Sequence, residues 1–219
     1  MSELSGNFEI HITVNPENNY FPLLEFCKAY KCKPVYAVAS RGDMPNQYMI
    51  SKWTKICSGT KAVEQAKQLA AIMKDIYSIN VVRTKVEAMA CNEGVPKVSE
   101  HYELCASKLT TEYYNNNPPY FEFHFKISPG DNATYKDLEL DCRKCSAALS
   151  INIMGKEKIP LITMRFYAIG YKEALAKVEI VKNTLELYGH KVHDGMQQEF
   201  SIYDDNAKID DGWIINSFY

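Results

Sequence analysis

The chain has 219 residues, enough for one large domain or two small ones. Its formal net charge of -2 argues against a nucleic-acid binder driven by basic charge. No run of about 18 apolar residues occurs, which excludes an apolar membrane-spanning helix.

Residues 8–14 open the pattern. Phe8, Ile10, Ile12 and Val14 alternate with Glu9, His11 and Thr13, the period-two signature of a half-buried strand. A short helix is expected over residues 22–28, then extended segments at 35–39 and 47–53. A longer helix begins at Gly59, and a strand over 81–87 puts Arg83, Lys85 and Glu87 on one side. Residues 97–119 contain Asn115, Asn116, Asn117, Pro118 and Pro119, a linker-like composition. The pattern then restarts at residues 121–127, where Glu122, His124 and Lys126 share the polar side. A helix at 137–143, strands at 149–153 and 161–169, a helix from Gly170 stopped by Gly189, and a strand carrying Gln197, Glu199, Ser201 and Tyr203 follow. Matching segments keep a nearly constant separation, with the drift confined to loops, which marks an internal repeat.

The order β-α-β-β-α-β, read twice, predicts an α+β fold of two tandem ferredoxin-like units related by internal duplication. The expected boundaries are 1–100 for the first repeat, 101–119 for a linker and 120–219 for the second repeat with its tail. Each unit would leave one sheet face open and polar. Residues 212–219 are apolar enough to pack back on a domain.

On those faces His11, His124, Glu9 and Glu122 are the candidate catalytic residues. A histidine beside carboxylates can carry a proton, and nearby cations can clamp an anion. Thr13, Arg83, Lys85, Glu87, Lys126, Asn152, Arg165, Glu199 and Tyr203 are the candidate ligand contacts, with Thr163 and Ser150 extending the same surface. The function expected is binding, with hydrolysis as a further step, of a small phosphorylated or otherwise anionic ligand between the two faces. The alternative is a non-catalytic interaction or self-association module. Polar sheet faces and cross-strand charge pairs also occur with no function attached.

Seven cysteines in no regular framework, with no signal-peptide features in residues 1–6, predict a cytoplasmic protein without structural disulfides. Cys142 and Cys145 have CxxC spacing but no second ligand pair, so they are expected to be ordinary helical thiols. Asp204, Asp205, Asp210 and Asp211 fit no calcium loop and are expected to form a solvated turn. No metal or cofactor is expected. The partner expected is the anionic ligand, with no nucleic acid and no membrane, in a monomer or homodimer.

Two resemblances attach to these residues. His11-Ile12-Thr13-Val14 resembles the His-apolar-Thr-apolar motif of the two-histidine phosphoesterases, which implies paired histidines acting as general base and acid on a phosphoester. The second copy, His124-Phe125-Lys126-Ile127, carries lysine where that family has threonine or serine. More broadly, 83–88, Gly94-Val95-Pro96, 120–126, 149–152, 199–206 and Asp211-Gly212 resemble an uncharacterised family of tandem-repeat hypothetical proteins, which implies no activity.

Overall fold

The computed structural model describes residues 3–15, 17, 19–55, 58–113 and 117–214. Asn115, Asn116 and residues 215–219, named above, and one of the seven cysteines, Cys57, lie outside them. The elements run β1 (Phe8–Val14), α1 (Tyr20–Tyr30), β2 (Lys33–Ala39), β3 (Asn46–Thr54), α2 (Gly59–Asp75), β4 (Val81–Met89) and α3 (Ser99–Tyr113). They continue with β5 (Tyr120–Ser128), α4 (Tyr135–Lys144), β6 (Ala148–Asn152), β7 (Leu161–Phe166), α5 (Tyr171–Leu187), β8 (Lys191–Asp204) and a 3-10 turn, Ala207–Asp210.

All eight strands join one closed antiparallel barrel in the order β1-β3-β2-β6-β7-β5-β8-β4, with β4 returning to β1. This corrects the expected fold class: the chain is an eight-stranded barrel with five helices among the described residues, not two tandem ferredoxin-like α+β units. The physical reason is edge satisfaction. A four-stranded sheet leaves two rows of unpaired backbone donors and acceptors. Here β2 pairs with β6 and β4 with β8, so those edges are consumed across the expected domain boundary.

The helices lie outside the ring, α1 on β2 and β3, α2 on β1 and β4, α3 on β8, α4 on β6, and α5 on β5 and β8. Against them the strands turn their apolar alternates, Phe8, Ile10, Ile12 and Val14 from β1 and Phe121, Phe123, Phe125 and Ile127 from β5, all essentially inaccessible. In α2, Ala62, Val63, Ala66, Leu69 and Met73 form the matching helical stripe. Residues 101–113, expected in the linker, carry most of α3. Its Tyr102, Cys105, Leu109 and Tyr113 recur at helical spacing and are buried. No helix among the described residues is long and apolar enough to cross a membrane.

The six cysteines among the described residues are unpaired thiols. Cys142 is buried in α4, and burial pushes its thiol up to about 12, against any role as a thiolate.

Gly170 caps α5 where a Cβ would stand 2.3 Å from the carbonyl carbon of Val98, leaving no room for any side chain. Gly170→Ala is therefore expected to cost about 1–3 kcal/mol by overpacking. In a chain of this size that lowers the melting temperature by roughly 2–4 °C per kcal/mol, measurable by circular dichroism; an unchanged melting temperature would refute the steric reading.

Candidate functional site

The barrel holds a cavity of about 220 Å³. The inward alternates of β1, β4, β5 and β8 that border it are polar, while Val35, Ala37, Met49 and Leu161 add apolar wall. Glu9, His11 and Thr13 of β1, Arg83, Lys85 and Glu87 of β4, Glu122 and His124 of β5, and Gln197 and Glu199 of β8 all border it, with Trp213 and Ile214 beyond the 3-10 turn. Register fixes this gathering. Glu9, His11 and Thr13 stand opposite Glu87, Lys85 and Arg83, while Glu122 and His124 stand opposite Glu199 and Gln197.

One part of the lumen is an ionic girdle. Arg83 donates through Nε and Nη2 to Asp204 at 2.9 and 2.6 Å, and its Nη1 lies 2.9 Å from Asp210. Arg165 donates through Nε and Nη2 to Glu122 at 2.8 and 2.5 Å and through Nη2 to Asp210 at 2.6 Å. Lys85 Nζ bridges Glu122 at 2.7 Å and Glu87 at 2.9 Å. The Tyr120 hydroxyl donates to Asp204 at 2.6 Å, and the Arg165 guanidinium lies 4.2 Å from the Tyr120 ring centre. Burial opposes ionisation of Glu122, yet Lys85 and Arg165 outweigh it and hold its carboxyl well below the usual range. Asp204 is likewise lowered to about 2, burial being outweighed by Arg83.

The other part is a histidine–carboxylate cluster. His11 Nε2 stands 3.2 Å from Glu87 and 3.6 Å from Glu9. His124 Nε2 stands 3.4 Å from Glu122 and 3.5 Å from Glu199, and its Nδ1 lies 2.9 Å from the Thr163 hydroxyl. Both imidazoles keep 17% of their side-chain surface accessible, whereas Glu87 and Glu199 keep 0% and 1%. The carboxylates are thus more deeply buried than the imidazoles that contact them. Glu9 accepts from the Ser51 hydroxyl, and Gln197 Nε2 donates to Glu9 at 2.7 Å and to Glu199 at 2.8 Å. Burial, together with the neighbouring Glu87 and Glu9, pushes the Glu199 carboxyl well above its usual range. Glu9, His11 and Glu199 each offer a donor atom within 4.8 Å of the others, a set able to hold a cation.

No family model matches the chain, and no curated protein matches it. Among solved structures, that of the siroheme decarboxylase NirDL is similar at a TM-score of 0.29 and 8% identity, over 99% of this chain and 79% of that one. A likeness at that level carries no argument about this chain.

Of the residues expected at the site, Glu9, His11, Thr13, Arg83, Lys85, Glu87, Glu122, His124 and Glu199 border the one cavity, as does Asn152. Arg165 joins them through Glu122. Two residues depart from expectation. Lys126 is half exposed and pairs with the exposed Glu157 at 3.0 Å, away from the lumen. Tyr203 belongs to the outer apolar core, under Lys67 at 4.8 Å. The cause is a β-bulge: Val86 pairs with Tyr203 but Glu87 with Ser201, so Ile202 is an extra residue and strand parity reverses. The same reversal turns Asp204 inward. Asp204 and Asp210, expected in a solvated turn, are 1% and 2% exposed and bind arginines, while Asp205 and Asp211 are exposed. Ser51, Gln197 and Tyr120 were not singled out as site residues; inward parity on their strands was the one available signal.

Proposed function

We propose that the lumen binds a small polar ligand bearing hydrogen-bond donors or a positive charge, and that His11 and His124 exchange protons with it. The supporting observation is the layering of partly accessible imidazoles over inaccessible carboxylates on one cavity. Histidine is suited to such transfer, and a buried acidic side chain behind it orients the ring. About 220 Å³ falls below the roughly 300–1,000 Å³ of drug-sized sites, so the ligand is a small metabolite.

The charge pattern turns this reading away from the phosphorylated or otherwise anionic ligand expected from the sequence. Arg83, Lys85 and Arg165 are each engaged by two carboxylates, and an anion would have to displace them. Carboxylate oxygens, by contrast, accept from a donor or cation directly.

Ligand-observed NMR across a panel of amines, alcohols, amides and phosphorylated metabolites tests this. Neutral or cationic compounds are expected to bind, and His11→Ala or His124→Ala is expected to weaken them tenfold or more, the scale of one charge-assisted hydrogen bond at about 1.5–3 kcal/mol. Binding confined to phosphorylated compounds, no binding at all, or binding indifferent to both variants would each overturn the proposal. Proton transfer in a reaction would further require turnover to fall about a hundredfold in either variant.

A further inference from the structure

We propose that Glu9, His11 and Glu199 form a binding site for a divalent first-row transition cation. The donors come from two strands on one side of the lumen. Glu9 and His11 are alternate residues of β1 and point the same way, and Glu199 enters from β8. Ligand atoms about 2.1 Å from a common cation stand about 3–4 Å apart. Donor atoms within 4.8 Å of one another must draw together by about an ångström to reach that spacing.

Three further observations point to a cation. The first is the pairing of two acids. Six buried carboxylates, Glu9, Glu87, Glu122, Glu199, Asp204 and Asp210, accompany three buried cations, and all three of those contact other carboxylates than Glu9 and Glu199. Two acidic side chains thus face each other in the interior, contacted by the His11 and His124 imidazoles and by Gln197 but by no lysine or arginine. The second is unused donor capacity. Glu199 Oε2 is buried and accepts no hydrogen bond among the described residues, its near neighbour being His124 Nε2 at 3.5 Å. The third is the support behind the donors. Gln197 Nε2 bonds Glu9 Oε2 and Glu199 Oε1 together, and the Ser51 hydroxyl bonds Glu9 Oε1, so both carboxylates are oriented from behind. Partners of this kind hold metal ligands in place, and their loss weakens metal binding.

The ligand set selects the cation class. Two carboxylates favour hard or borderline ions, and an imidazole favours first-row transition metals over calcium or magnesium. Mn2+, Co2+ and Zn2+ meet both conditions. Three protein ligands also leave positions directed into the cavity, as in metal sites that admit a water or substrate. The site does not depend on the small-molecule ligand proposed above, so metal alone is the probe.

The test uses the full chain stripped with a chelator and titrated with Mn2+, Co2+ and Zn2+ by calorimetry, with Co2+ absorption as a second readout. One equivalent per chain is expected. Glu199→Gln and His11→Ala should each weaken binding about a hundredfold, and Gln197→Ala by about ten- to a hundredfold. His193→Ala, altering a histidine that contacts Ser128 instead, should leave binding unchanged. Should a variant fail to fold, Mn2+ broadening in the wild type decides: the His11 imidazole signal should broaden before that of His193. No saturable binding, binding that survives both ligand variants, or broadening of His193 first would overturn the site. Small-molecule screening of the stripped chain keeps the two proposals separable.

Discussion

Arg165→Ala is expected to destabilise the fold by about 3–5 kcal/mol, the usual cost of removing one partner from a buried ion network. The guanidinium sits between Glu122 and Asp210 with 3% of the residue exposed, so truncation leaves two carboxylates facing each other in the interior. It also removes the packing on the Tyr120 ring. At roughly 2–4 °C per kcal/mol, the melting temperature should fall by about 6–20 °C. Arg165→Lys should recover only part of this, because an ammonium lacks the planar fork that reaches both acids. A loss below about 1 kcal/mol, read from urea unfolding, would mean that the network is dispensable.

Acid is expected to remove the same support over a defined window. Asp204, Asp210 and Glu122 all have carboxyls held below their ordinary values by the arginines and Lys85. The folded state therefore binds protons more weakly than the unfolded chain, and stability falls as pH falls. The contribution is complete above the ordinary carboxylate value near 4 and disappears as pH drops toward the folded value. For Asp204, lowered from 3.8 to about 2, this amounts to about 2 kcal/mol. Asp210 and Glu122 act in the same direction. Unfolding free energies measured at pH 7, 4 and 3 should decline steeply below pH 4, and Asp204→Asn should flatten that decline. Equal stability at all three values would contradict the network's role.

Alternation along Phe8–Val14 and Tyr120–Ser128 made the polar and apolar sides of these strands legible from local sequence. It did not reveal which side faced solvent. A half-exposed sheet and a barrel with a polar lumen share the same period of two, and the choice between them rests on edge pairings such as Met89 with Glu199, far apart in sequence. Asp204 and Asp210 illustrate the same limit. Their neighbours spell a turn, whereas their partners Arg83 and Arg165 lie on β4 and β7. Tyr203 failed for a more local reason, since one extra residue at Ile202 inverts everything beyond it. Lys126 keeps the parity of Glu122 and His124, but it lies nearer the end of β5, where its side chain reaches the exposed Glu157.

The ring is not equally strong around its circumference. Its β2–β6 junction rests on three register pairs, Ala37 with Asn152, Val38 with Ile151 and Ala39 with Ser150, whereas β5 and β8 share eight. Ala37, Asn152 and Ser150 are also part of the cavity wall. Backbone bonds from the Ser40 N–H to Leu149 and from the Ile153 N–H to Tyr36, both at 2.9 Å, flank this ladder. It is still short, and short ladders open at low free energy. Transient parting there would expose the lumen without disturbing the arginine girdle, giving molecules a way in and out through the side of the staves. Such parting would widen the approach to imidazoles that solvent already reaches in the closed ring.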